Sequence, residues 1–232
     1  MSLIKVTNLV KTYGEGEERV TALGGVDLEV AKGEFLALLG PSGSGKSTLL
    51  SILGAINPPT SGEVIVDDIN VYELSGERLA DFRSEYLGFV FQQFQLIPYL
   101  NAIENVMLPL AISGMPKAEQ REKAMQVLEK VGLKNKANRL PSQLSGGEQE
   151  RVAIARAIVN EPPILFADEP TGALDTKTGE EIMQVFKQLN EEGQTIIMVT
   201  HNTETVRYVG RAVYIRDGLV EKTTQTARAV NG

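Results

Sequence analysis

The run Gly40-Pro41-Ser42-Gly43-Ser44-Gly45-Lys46-Ser47-Thr48 has the residue types and spacing of a phosphate-binding loop. Its glycines let successive backbone amides turn inward around phosphate oxygens. Lys46 would reach the β- and γ-phosphates of a nucleoside triphosphate, and the Ser47 hydroxyl would hold Mg2+. The helix expected from Ser47 to about Gly54 would aim its positive end at the anion. Farther along, two carboxylates stand side by side at Asp168 and Glu169. The first can organise Mg2+ through water. The second has no need to ligate metal and can take a proton from an attacking water. Taken alone, the pair also reads as an acidic helix cap, with Pro170-Thr171 behind it.

Three short apolar runs carry these groups. Phe35-Leu36-Ala37-Leu38-Leu39 ends at Gly40, Ile164-Leu165-Phe166-Ala167 ends at Asp168-Glu169, and Thr195-Ile196-Ile197-Met198-Val199-Thr200 ends at His201. Continuous apolar runs of this length suit strands buried on both faces of a parallel sheet. In such sheets the ligand site lies at the carboxyl ends of the strands. Glycine loop, acid pair and histidine are therefore expected to meet along one edge. Without that setting, a lone His201 would be a satisfied core or cap histidine.

Composition narrows the chemistry further. The chain has 232 residues, no cysteine and a single histidine. Disulfides, thiolate nucleophiles, Cys-ligated metals and multi-histidine metal sites within one chain are all excluded. With 23 Lys+Arg against 30 Asp+Glu the net charge is −7, which argues against a nonspecific nucleic-acid binder. No apolar run approaches the length of a membrane span, and the start Met-Ser-Leu-Ile-Lys-Val alternates like a strand, so a cytoplasmic location is expected.

The remaining elements read as follows. Ile4, Val6 and Leu9, then Val26, Leu28 and Val30, then Val64-Ile65-Val66 predict a small antiparallel sheet in the first third. Asn101 with Glu104 predicts a capped helix start. Pro116 opens a helix that turns Ala124, Leu128 and Val131 inward and stops at Gly132. The charged stretch from Lys117 to Lys130 reads as that helix's solvated face. A further helix is expected from about Gly146 to Ile158, preceded by Ser145 as its cap. A Ser-capped helix N-terminus is a second anion-binding device, although Ser145 reads equally as an ordinary structural cap.

Leu144-Ser145-Gly146-Gly147-Glu148-Gln149-Glu150-Arg151-Val152-Ala153-Ile154-Ala155-Arg156-Ala157 closely resembles the signature of ATP-binding-cassette (ABC) ATPases. The other motifs fall in that family's order, and the resemblance spans about residues 4–222. It implies that Tyr13, otherwise a packing residue, stacks on adenine. It implies that Gln92 links Mg2+ and water to a membrane partner, that Ala173-Leu174-Asp175 is the D-loop, and that His201 contacts the γ-phosphate. The run Gly88 to Pro98, with Glu104-Asn105-Val106 and Leu108-Pro109-Leu110, is similar to the branch serving lipoprotein-release, macrolide-export and cell-division-type permeases. Gln92 is followed by a second glutamine, Glu148 and Glu150 stand where many members carry glutamine, and Ala173 where bacterial members often have Asn.

The resemblance further implies an α/β phosphate-loop NTPase core with a mainly parallel sheet, an N-terminal antiparallel β subdomain and an inserted helical subdomain. Residues 1–92 and 161–222 would form the core and β subdomain, 93–160 the helical subdomain, and 223–232 a flexible tail. ATP and Mg2+ are the implied ligands. A head-to-tail homodimer is implied, in which Ser145, Gly146, Gly147, Glu148 and Asp175 of one chain complete the ATP site of the other. An integral-membrane permease is the implied partner, with the protein on the cytoplasmic face of the membrane. The alternative is a soluble nucleotide switch of the same family, not coupled to transport.

Overall fold

The computed structural model describes residues 2–226. In chain order the strands and helices are β1 (Ser2–Tyr13), β2 (Val20–Ala31), β3 (Phe35–Leu39), α1 (Lys46–Leu53), β4 (Ser61–Val66), β5 (Ile69–Asn70), α2 (Gly76–Tyr86) and β6 (Leu87–Val90). Then come α3 (Ala102–Met107), α4 (Lys117–Lys130), α5 (Gly146–Ile158), β7 (Ile164–Asp168), α6 (Thr176–Glu191), β8 (Thr195–Val199), β9 (Arg211–Arg216) and β10 (Leu219–Gln225).

Two sheets result. The first is antiparallel, in the order β2-β1-β4-β5, and pairs Val6 with both Leu28 and Val64 as the alternating pattern predicts. The second runs β10-β9-β3-β8-β7-β6. All of its pairings are parallel except the β10–β9 hairpin at one edge.

Alternation along these buried strands divides the core. Phe35, Ala37 and Leu39 of β3, Leu165 and Ala167 of β7, and Ile196 and Met198 of β8 join a cluster with residues of α3, α4, α5 and α6. Leu36, Leu38, Ile164, Phe166, Ile197 and Val199 point the other way, to α1 and the antiparallel sheet. Successive strand side chains leave opposite faces, so both faces must be apolar, and the runs are accordingly continuous. Helices α3, α4 and α5 share the first cluster with the sheet, so their apolar faces are continuous with its core.

Local signals account for the helix ends. Asn101 and Glu104 form a reciprocal capping box on α3, with Glu104 N donating to Asn101 Oδ1 at 3.0 Å and Asn101 N to Glu104 Oε2 at 2.9 Å. Ala124, Leu128 and Val131 are buried as expected, with Gly132 in the left-handed region just beyond. One boundary needs correction. The sequence puts a flexible tail from residue 223, but Thr223, Thr224 and Gln225 pair with Val213, Ala212 and Arg211, because the Asp217-Gly218 turn (φ 50° and 75°) folds them back as a hairpin. Residues 227–232 lie outside the described residues. Among the described residues no helix is long and apolar enough to cross a membrane.

Candidate functional site

Four parallel strands end at the same edge, and each delivers a chemically loaded residue. Gly40 follows β3, Gln92 follows β6 after Phe91, Glu169 follows β7, and His201 follows β8 after Thr200. The phosphate loop between β3 and α1 has Gly40, Gly43 and Gly45 at φ 149°, 77° and 101°. A Cβ on Gly40 would stand 2.1 Å from Ile215 O, and one on Gly45 2.5 Å from Ala22 O. Both positions therefore demand glycine for conformation and for space.

Lys46 opens α1, is buried, and donates from Nζ to Gly40 O at 2.9 Å and Pro41 O at 2.7 Å. Burial lowers its pKa, while Glu169 and Asp168 oppose that shift. Pro41, Ser42 and Gly43 are exposed on the loop, Ser44 is buried beside Lys46, and Ser47 and Thr48 continue α1. Ser47 is exposed. Asp168 is half-buried, and burial, with Glu169 adding to it, raises its carboxyl above the usual range.

Glu169 is held from both sides. Its Oε2 accepts from Gln92 Nε2 at 3.3 Å and its Oε1 stands 3.1 Å from His201 Nδ1. Its backbone is in the left-handed region at φ 47°, a conformation that persists in a non-glycine residue only when the surroundings fix it. The fixing bonds are Glu169 N to Val199 O and Gly172 N to Glu169 O, both 2.9 Å. The acidic-cap reading of Glu169 therefore fails: the helix that follows, α6, is capped by Asp175, whose Oδ1 accepts from Thr178 N at 3.0 Å.

Sequence reasoning missed three supports of this site. A Cβ on Gly172 would lie 3.2 Å from Gln92 Nε2 and 3.4 Å from Glu169 Oε2, so a bare backbone lets the two side chains meet. Thr200 is buried, and its Oγ1 accepts from Asn202 N at 3.1 Å, shaping the turn that carries His201. Arg156 of α5 grips the loop after Gln92. Its two carbonyl contacts lie 61 and 62 residues away in the chain, so no local pattern in the sequence marks it for this role.

The second motif lies apart from the first. Ser145 caps α5 in a capping box with Glu148 (3.3 and 3.0 Å), and Lys136 pairs with Glu148. The Lys136 and Ser145 hydrogen bonds hold the Glu148 carboxyl below the usual range. Gly147 packs so closely that a Cβ would meet the Thr178 methyl at 2.4 Å, and Gly146 faces Leu174. Ser145, Gly146, Gly147, Glu148 and Asp175 are thus grouped, beside a cleft of about 440 Å³ lined in part by Lys136, Arg151 and Thr178. Among the described residues no hydrogen bond or ion pair joins this group to Lys46 or Asp168. Tyr13, at the end of β1, is exposed with Lys11 over its ring at 5.0 Å, and takes no part in the bonds around Glu169.

The family model described as ABC transporter matches residues 23–172, more than half of the chain. The chain belongs to the ABC transporter family. Among relatives of this ABC ATPase, the ABC transporter ATP-binding protein MJ0796 of Methanocaldococcus jannaschii is 51% identical over 225 residues, which is 95% of this chain and 96% of that one. The solved structure described as a dimeric post-hydrolysis state of the MJ0796 cassette bound to ADP and Pi has a TM-score of 0.87 at 49% identity, covering 96% and 98% of the two chains. The macrolide export ATP-binding/permease protein MacB of Aggregatibacter actinomycetemcomitans is 46% identical over 97% of this chain, which spans 35% of that longer protein. The branch expected from the run around Gln92 is the one in which these relatives fall. ABC ATPases use ATP with Mg2+.

The donor set fits that ion. Among the described residues no cluster of three or more His, Cys, Asp or Glu could hold a metal alone. Mg2+ is typically held by one or two protein groups plus substrate phosphates and water, and the exposed Ser47 hydroxyl that follows Lys46, with the half-buried Asp168 whose charge acts on Lys46, is a set of that kind.

Proposed function

We propose that this ABC ATPase binds and hydrolyses ATP as a head-to-tail homodimer and so drives a separate membrane permease from the cytoplasmic face. The observation that carries the reading is the Glu169 carboxylate, held between Gln92 and His201 at the strand edge where Lys46 and Asp168 also lie. The catalytic core is assigned to residues 1–92 and 161–225, with the β9–β10 hairpin included, and the helical subdomain to 93–160.

In this reading the amides of Gly40 to Thr48 cradle the phosphates, and Lys46 exchanges its loop carbonyls for phosphate oxygens. Ser47, Asp168 and Gln92 would hold Mg2+, which would supply positive charge against the phosphates. Glu169 accepts the proton of the attacking water, with its carboxylate oriented by Gln92 Nε2 and His201 Nδ1. Tyr13 stacks on the adenine. Ser145, Gly146, Gly147 and Glu148 of the partner, with Asp175 nearby, close the site, so two helix N-termini face the γ-phosphate, one from each chain. Loss of that shared phosphate releases the halves.

Coupling to a permease is supported by an apolar groove of about 310 Å³ beside Gln92, lined by Phe89, Phe91, Pro109, Ile112 and Arg156. It would take a short cytoplasmic helix of the permease, given that Ile112 is 76% exposed. A switch uncoupled from transport has no use for such a face.

The test is association measured by sedimentation. Glu169→Gln with ATP and Mg2+ should form a persistent dimer, and adding Ser145→Arg should abolish it while the monomer still binds nucleotide. A Ser145→Arg monomer that no longer bound ATP would contradict completion of the site by the partner chain.

A further inference from the structure

The loop that carries Gln92 is pinned at two points outside the ATP site. At its far end Asn105, fully buried in α3, accepts from Ile97 N at 2.7 Å and donates to Ile97 O at 3.2 Å and Leu100 O at 2.9 Å. In its middle Arg156 of α5 donates from Nη2 to Phe94 O at 2.8 Å and from Nη1 to Gln95 O at 2.5 Å. Phe94 and Gln95 are consecutive left-handed residues, at φ 55° and 48°. Two adjacent non-glycine residues in that region are costly and persist only where the surroundings hold them. The turn they make aims both carbonyls at one guanidinium, whose planar fork suits paired acceptors.

We propose that Arg156 is a positioning residue for ATP hydrolysis: by holding the Phe94 and Gln95 carbonyls it fixes the loop that sets Gln92 against Glu169. The inference rests on the reading of Gln92 and Glu169 given above. Gln92 is two residues before Phe94, and its Nε2 reaches Glu169 Oε2 at 3.3 Å. A displaced loop would therefore lose that contact first. Arg156 sits on the same helix that begins at the capped Ser145, so α5 joins the group offered to a partner's ATP to the loop that orients this chain's own carboxylate.

The surroundings favour the grip. The acidic group acting on Arg156 is Glu150, which is fully buried and has neither carboxyl oxygen hydrogen-bonded. Burial pushes Glu150 up to about 8, so at neutral pH it is mostly uncharged and does not compete with the two carbonyls for the guanidinium.

The test is steady-state ATP turnover of Arg156→Lys, Gln92→Ala and the double variant, with urea midpoints to check folding. Lysine keeps the charge but cannot span both carbonyls. Arg156→Lys should lower kcat about tenfold with the KM for ATP within about twofold of the parent, since a small misplacement near reacting groups costs that much or more. In the Gln92→Ala background the same change should cost less than about twofold, because both substitutions remove one placement. Equal losses in the two backgrounds, a loss confined to KM, or parental turnover of Arg156→Lys would each overturn the proposal. Parental turnover of Gln92→Ala would overturn the reading of Gln92 itself, and this route with it.

Discussion

Glu150→Gln should remove a large pH dependence of stability. Glu150 is fully buried on α5 with both carboxyl oxygens unpartnered, and burial, opposed by the Arg156 charge, raises its pKa from the ordinary 4.5 to about 8. Between those values the folded chain keeps a proton that the unfolded chain has released. The Glu150 contribution is therefore fully present below about pH 4.5 and is lost as pH rises through about 8. Each pH unit in the window costs about 1.4 kcal/mol. From about pH 5 to about pH 7.5 the loss is on the order of 3 kcal/mol, a large part of a typical 5–15 kcal/mol of total stability. Glutamine has the same shape and no proton to lose. Urea unfolding of both proteins at the two pH values isolates the effect, because every other titrating group is common to both. The stability gap should move by about 3 kcal/mol in favour of Glu150→Gln as pH rises. A gap that stays constant would refute a buried neutral carboxyl at this position.

Other outcomes follow from single contacts. Gly45→Ala forces a φ of 101° on a residue whose Cβ would lie 2.5 Å from Ala22 O, so ATP binding measured by calorimetry should be lost; retained affinity would contradict the loop geometry. His201→Ala removes the group 3.1 Å from Glu169 Oε1 and should lower kcat about 10²-fold or more without loss of fold. Because His201 is the lone histidine, its imidazole NMR signals should shift on adding ATP and Mg2+, and unmoved signals would return it to a structural role.

Much of this was legible in the residues because strong local rules agreed with the fold. The runs ending at Gly40, Asp168 and Thr200 are strands buried on both faces, so continuous apolarity marked them directly. The Asn101 and Ser145 caps announced their helices through hydrogen bonds closed within a few residues. The strand before Gln92 was harder to see. Leu87-Gly88-Phe89-Val90 has a glycine inside it, and only the folded structure explains why: a Cβ there would stand 2.2 Å from Ala157 O of α5. Interior strand glycines commonly mark such close backbone approach. The β9–β10 hairpin carried its signal in Asp217-Gly218, but the polar residues after it resembled a fraying end. Arg156 was not legible as a support for Gln92, because 61 residues separate it from the Gln95 carbonyl it holds and no local pattern spans that gap.

The most direct measurement is phosphate release and ATP binding on one preparation of Glu169→Gln. The amide keeps the size and the neighbours of the carboxylate but cannot take a proton from water. Binding should match the parent while turnover falls by about 10²–10⁴-fold. Turnover at the parental rate with ATP bound would contradict the assignment of Glu169 as the base.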